Sequence, residues 1–367
     1  MITFTDGELG RALLTERSMQ WLYAHGGDPL ARLLRAEDDD RRELIERIRE
    51  RGPIHLSRVG AWVTGDHQVA TEILADPRIT ARSSRTFPAG HVLYQCDAFP
   101  ELSPDARRRL AEIDLPQEIV ERVCAATATR IGSEFDLVTD LLRPILAGLL
   151  AEMLALPPEH REALGRDSAA AAIALDAVLC PPTLPAARSM MTAVDDLTAR
   201  LRTCPGGEST VAAGTVAGVL WVEVTANLLA NALLALLDQP GRWDSLAGEQ
   251  DRADEVVSDT LRHDPPIRMH ALLAHEDVEI AGRRVAAGSD IVVYVEAAQH
   301  GGAAVGVDLP LAGGSYLDLL APAVRATAAA VLRVLAVRLP GLRRTGPVVR
   351  RLRAPVTHAI VRFPVSA

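Results

Sequence analysis

The sequence predicts a mainly α protein with small β-sheets, and three observations carry that expectation. The first is one long apolar stretch, Val211 to Leu237, rich in Ala and Leu and free of Pro. The second is a succession of shorter helical patterns around it, punctuated by Pro and Gly. The third is a change of pattern over 267–297, where branched residues gather between Gly turns.

Taken in order, residues 8–24 read as an amphipathic helix with Leu9, Leu13, Leu14, Trp21 and Leu22. After Gly26-Gly27-Asp28-Pro29 a charged helical segment runs to about Glu50, broken by EDDDRRE (37–43). Ile54 to Thr64 has the content of a strand pair turning near Ser57-Arg58, and His67 to Leu74 that of a short helix stopped by Asp76-Pro77. Residues 80–104 lack periodicity and read as a loop over a cleft. Arg78, Arg82 and Arg85 are either a seat for an anion or a solvated cluster. Helices are expected at about 104–112, 116–131, 136–155, 158–176 and 186–202, with Pro144 kinking the third.

The central apolar stretch would make a helix roughly 40 Å long, capped by Ser209 or Thr210 and ended by Pro240-Gly241. Its length would span a membrane, but Glu223, Asn227 and Asn231 fall at i, i+4 and i+8 and share one face. A carboxylate and two amides are costly in lipid. A buried helix with its polar stripe on a cleft or a hydrogen-bonding neighbour is the better reading. A helix over Arg242–His263, the β-rich window, a Gly-rich stretch over 300–317, a helix over Leu319–Arg338 and strands near 347–352 and 358–363 complete the chain. No repeat or linker is visible. One domain over 1–367 is expected, with its minor β part at 53–64, 267–297 and 346–363.

The composition, 48% hydrophobic residues in 367, allows a large core, and only 4% are aromatic. A formal charge of −9 disfavours nucleic acid as a partner. Cys96, Cys124, Cys180 and Cys204 match no zinc or redox spacing and suit a reducing cytoplasm. MITFTDGELGRALL has no secretory pattern. No Gly-rich loop follows a strand to hold phosphates; Gly301-Gly302 and Gly313-Gly314 read as loop glycines.

The order of elements resembles bacterial cytochromes P450 over almost the whole chain. GDPLARLL (27–34), GAWVTGDHQVATEILADPRIT (60–80), DTLRHDPPIR (259–268) and HEDVEIAGRRVAAGSDIVVYVEAAQ (275–299) carry that likeness together. The family's chemistry does not follow. The resemblance places an axial Cys in the loop LAGGSYLDLLAP (311–322), which has none, and Tyr316 is the one conceivable substitute. It matches the acid-Thr pair of the central helix to Glu223-Val224, with Thr225 turned about 100° away, and Val cannot relay a proton. The ExxR pair becomes Asp259 and Arg262, and an Arg that grips a haem propionate becomes Leu272. SPDARRRL (103–110) lacks a clear second clamp. His263, His270, His275 and His300 are the alternatives for non-catalytic haem binding.

The chain is more similar still to the haem-free P450-like auxiliary proteins of deoxysugar glycosyltransferases, found in actinobacterial macrolide and anthracycline pathways. Trp21-Leu22-Tyr23 with GGDPLARLL, VEVTANLLANALLAL (222–236) and RLPGLRRTGPVVRRLRAPV (338–356) carry this resemblance. It implies no catalytic residue and no cofactor or metal. It also implies a partner glycosyltransferase, bound and activated in a hetero-oligomer such as a heterotetramer, with neither nucleic acid nor membrane. The candidate interface is the N-terminal helical region, with Leu13, Leu14, Met19, Trp21, Leu22, Tyr23, Leu30 and Leu33, against the reading that these residues pack onto their own domain. The alternatives are a haem monooxygenase, catalysis by Glu223 beside Asn227, and a small-molecule carrier.

Overall fold

The computed structural model describes residues 4–35, 41–239, 241–246, 252–299, 309–313 and 316–367. Its first helix, Asp6–His25, starts at a capping box in which the Thr5 hydroxyl accepts the Glu8 N–H while the Glu8 carboxylate accepts that of Thr5. The Gly27-Asp28-Pro29 turn leads into helix Pro29–Arg35. Buried Asp28 accepts from the Ala31 N–H, the Arg58 N–H and the Ser57 hydroxyl. Burial works to raise its pKa, but these donors and Arg51 outweigh it and lower it. The turn is thereby tied to the hairpin that follows the charged helix Arg41–Arg49. Most of EDDDRRE lies outside the described residues.

A five-stranded sheet carries the β-rich segments. His55–Leu56 pairs antiparallel with Trp62–Thr64, which runs parallel to Asp290–Tyr294; Met269–Ala274 and Ile79–Ala81 follow, both antiparallel. The outer strand Ile79–Ala81 overlaps the first two residues of the expected loop. The 267–297 window ends differently from its reading, because Val295–Gln299 is helical. The tail strands Val349–Arg350 and Ile360–Arg362 pair with each other. Pro364–Ser366 sits between Arg343–Arg344 and Glu134–Asp136, so the tail reaches back more than two hundred residues.

Helices Pro104–Ala111, Gln117–Ala128, Arg143–Met153, Arg161–Ala171 and Leu184–Leu201 fall close to their expected places. Pro144 falls inside one continuous helical path, as expected, just after it changes from π to α. The wide π turn Leu137–Leu142 precedes it, one of the ways a helix accommodates a proline that has no N–H to donate.

The central stretch is helix Gly207–Val216, a π turn Ala217–Trp221 and helix Val222–Leu237. Its cap is Gly206 at φ 110° rather than Ser209 or Thr210, a conformation open to Gly at little cost. Its most apolar window is 89% buried within the fold, so it presents no free apolar face. Arg242–Leu246 and Arg252–His263 are helical, as expected, with the residues between them outside the described ones, and Leu317–Arg338 packs beside the central helix. One core cluster extends from Leu9 to Val365, and a smaller one lies under the five-stranded sheet.

Candidate functional site

The segment over 80–104 does cover a cleft. It forms one wall of a cavity of about 440 Å³. The first helix forms a second wall with Thr15, Glu16, Met19, Gln20 and Tyr23. Leu220 closes it from the central helix, Leu272 and Ile291 from the sheet, and Tyr316 from the start of the last long helix. The covering loop is braced at both ends. The Ser84 N–H donates to the Phe99 carbonyl and the Phe99 N–H to the Ser84 hydroxyl. The Arg82 guanidinium donates to Asp290 at 2.7 and 3.0 Å and lies 5.7 Å from the Phe87 ring centre. Phe87 in turn stacks on His91 at 4.5 Å. Arg78 is likewise paired, with Asp76 at 2.7 Å. Arg78 and Arg82 are thus committed to carboxylates, and Arg85 does not line the cavity.

A haem in this space would need an anionic axial ligand, and the residues present do not supply one. Among the described residues no cysteine lines the cavity. All four thiols are buried elsewhere, and burial pushes those of Cys96, Cys124 and Cys180 up to about 12. Tyr316 is buried against Phe99, with its hydroxyl directed at the carbonyls of Pro100 (3.0 Å) and Phe99 (3.2 Å). Burial, then the charge of Asp97, raises its pKa, so the phenol keeps its proton. His270 reaches the cavity, but its Nε2 lies 2.6 Å from the Leu309 carbonyl and must donate to it. Burial lowers its pKa to about 4, so the ring is neutral. Gly313, at φ 113°, brings its backbone so close to this ring that an added Cβ would sit 3.1 Å from Nδ1. His263 and His275 are exposed, bonded to the Asp259 carbonyl and to Thr80; His300 lies outside the described residues.

The other positions matched to P450 chemistry separate into two groups. Leu272 lines the cavity and is 2% exposed, so an apolar wall stands where a propionate clamp is implied. Arg108 and Arg109 pair with Asp105 on the surface, away from the cavity. Asp259 and Arg262 form an exposed pair at 3.5 Å. The matched pair Glu223-Val224 does not line the cavity. The central-helix residue that lines the cavity is Leu220, inside the π turn, about one turn before Glu223. Val224 and Thr225 are fully buried in the core.

Glu223 and Asn231 of the polar stripe face hydrogen-bonding neighbours, whereas the buried Asn227 amide nitrogen has no partner among the described residues. Glu223, 1% exposed, accepts from Arg143 at 2.8, 2.9 and 3.2 Å, and Arg351 lies 3.9 Å away. The Asn231 amide donates to the Asp264 carbonyl, while its oxygen accepts from Arg350, which also pairs with Asp264 at 3.0 Å. The tail arginines thus answer the central helix, and neither Glu223 nor Asn231 lines the cavity. Sequence reasoning missed Arg143, Leu220 and Glu16. Glu16 was hidden by its ordinary place on an amphipathic helix. It faces the cavity with no hydrogen-bond or ion-pair partner among the described residues, and burial raises its pKa.

The eight residues of the candidate interface divide by burial. Leu13, Leu30 and Leu33 are 4%, 0% and 6% exposed and belong to the core, so they cannot present a surface. Tyr23 is half-buried in the cavity wall. Leu14, Met19, Trp21 and Leu22 are exposed, with Trp21 stacked on His25 at 5.4 Å. Leu14, Trp21 and Leu22 fall at i, i+7 and i+8 and form one outward ridge. The first helix is therefore apolar on both sides, and only one side meets the core.

No protein-family model matches the chain. It is 36% identical to the protein AknT of Streptomyces galilaeus, over 99% of this chain and 96% of that one. It is 32% identical to DesVIII of Streptomyces venezuelae, over 99% and 94%. The fold matches the ligand-free crystal structure of CYP164A2 from Mycobacterium smegmatis with a TM-score of 0.75 at 23% identity, covering 92% of this chain and 99% of that one. The full-length likeness to AknT and DesVIII, joined to a P450 fold, makes this chain a member of the P450-fold auxiliary proteins of glycosyltransferases in actinobacterial antibiotic biosynthesis.

Proposed function

We propose that the chain is a non-catalytic cytoplasmic protein that binds, stabilises and activates a partner nucleotide-deoxysugar glycosyltransferase in polyketide glycosylation. The observation that carries this reading is the cavity itself: it is lined by Leu220, Leu272 and a fully hydrogen-bonded Tyr316 and, among the described residues, by no cysteine. A scaffold of this size then offers a rigid surface. A partner docked on it is stabilised by mass action, and one whose active conformation binds more tightly gains population in that conformation. Neither effect needs a catalytic group in this chain.

The docking surface is the ridge Leu14, Trp21 and Leu22 of the first helix, with Met19 beside it. Three large apolar side chains at 49–63% exposure on one helix face are what an interface core requires. A pair of these chains about a pair of transferases would close the assembly by two-fold symmetry. Size-exclusion chromatography of the chain co-expressed with the transferase encoded beside it tests the reading. A stable complex, lost when Trp21 and Leu22 are both changed to Asp, is expected. Elution of two separate species in the unaltered pair contradicts it.

A further inference from the structure

The polar groups of the cavity are nearly all committed. Arg82 is held by Asp290 and the face of Phe87. The Gln20 amide donates to the Leu179 carbonyl at 2.7 Å, and the Tyr316 hydroxyl is directed at two carbonyls. His91 accepts the Leu93 N–H, and burial followed by the Arg82 charge lowers its pKa to about 4, leaving it neutral. Glu16 is the exception: a half-buried carboxyl facing the cavity with no partner among the described residues. The walls around it are apolar, built from Met19, Phe87, Phe99, Leu220 and Leu272. Because the Arg82 and Asp290 charges cancel, the net charge offered to a ligand is that of Glu16, and anions such as nucleotides are disfavoured. A volume of about 440 Å³ lies within the range of small-molecule sites.

We infer that this cavity binds an amphipathic cation, with an apolar ring system between Phe87, Phe99 and Leu220 and a protonated amine on the Glu16 carboxylate. Apolar walls supply the burial, and the acid supplies a charge-assisted hydrogen bond that a neutral analogue cannot form. The cavity would take such a ligand whether or not the outer ridge of the first helix docks a transferase, since Glu16 and the ridge lie on different faces of that helix.

The test compares two fluorescent probes of nearly equal shape at pH 7.5, cationic 9-aminoacridine and neutral acridine, titrated with the full chain. The unaltered protein is expected to bind the cation about tenfold more tightly, or 1.4 kcal/mol. Glu16→Gln should erase that preference and leave acridine binding in place. Leu220→Trp should fill the cavity and abolish both. Met19→Trp, at the exposed edge of the same wall, serves if the first filling variant fails to give a cooperative melt. Equal affinity for the two probes overturns the assignment of Glu16. Survival of the preference in Glu16→Gln does the same. Absence of any binding, or binding undiminished by the filled cavity, overturns the site itself.

Discussion

Glu223→Gln should destabilise the fold without touching any chemistry. Glu223 is 1% exposed and Arg143 13%, joined by three contacts of 2.8–3.2 Å. Removing one partner of a buried pair strands the other charge and costs about 3–5 kcal/mol. Gln retains one acceptor, and Arg143 keeps some access to water, so the low end, about 3 kcal/mol, applies. Arg351, at 23% exposure, can turn outward and adds little. Replacing both partners by apolar residues, Arg143→Met with Glu223→Leu, should return the protein to within about 1 kcal/mol of the original. Urea unfolding followed by far-ultraviolet circular dichroism measures all members of the cycle, with an unchanged slope confirming that stability alone has moved. A single variant within 0.5 kcal/mol of the parent, or a double variant less stable than the single, would refute this account of the stripe. Partner activation measured on folded Glu223→Gln should be retained; its loss would return Glu223 to the list of reacting groups.

Three further outcomes follow from the same geometry. Trp21→Ala and Leu22→Ala should leave urea stability within about 0.5 kcal/mol yet weaken partner binding, whereas Leu13→Ala, on the buried face, should cost about 2–5 kcal/mol. His270 and Asp176 should give opposing pH dependences. The folded pKa of His270, about 4, lies below its ordinary value of 6.5, so its contribution is present above pH 6.5 and is lost on acidification, about 2 kcal/mol between pH 7 and pH 5. Buried Asp176 accepts from the Val356 N–H and from the Thr357 N–H and hydroxyl, yet burial outweighs these and raises it from 3.8 to about 6. Its contribution therefore runs the other way, gaining about 1 kcal/mol over the same change. The two nearly cancel in the parent; Asp176→Asn should expose the acid loss and His270→Gln the acid gain, both read by urea unfolding at the two pH values. Finally, the four buried thiols should resist Ellman's reagent in the folded protein and all react in denaturant; fast reaction of one would place it on the surface.

Local periodicity made much of this architecture readable. The central helix, the Asp28 turn and the His67–Ala75 helix declare themselves through apolar spacing, Pro, Gly and capping side chains. Three things do not. A π turn such as Ala217–Trp221 differs from an α turn by one hydrogen-bond step and leaves no residue signature, so the approach of Leu220 to the cavity was not legible. Strands of three residues such as Glu134–Asp136 exist only because Pro364–Ser366 arrives from the far end of the chain. The first helix is apolar on two faces, so spacing alone could not separate buried Leu13 from exposed Leu14, Trp21 and Leu22. Glu223 was legible as a buried polar group, but its partners Arg143 and Arg351 lie 80 and more residues away on opposite sides.

The central claim, that this P450 scaffold works through contact with another protein, is tested most directly by the turnover number of the companion glycosyltransferase with its own nucleotide-sugar and acceptor. Adding the purified, porphyrin-free chain should raise that rate saturably at near-equimolar ratio. An unchanged rate, or activation that appears only after haem is supplied, would contradict it.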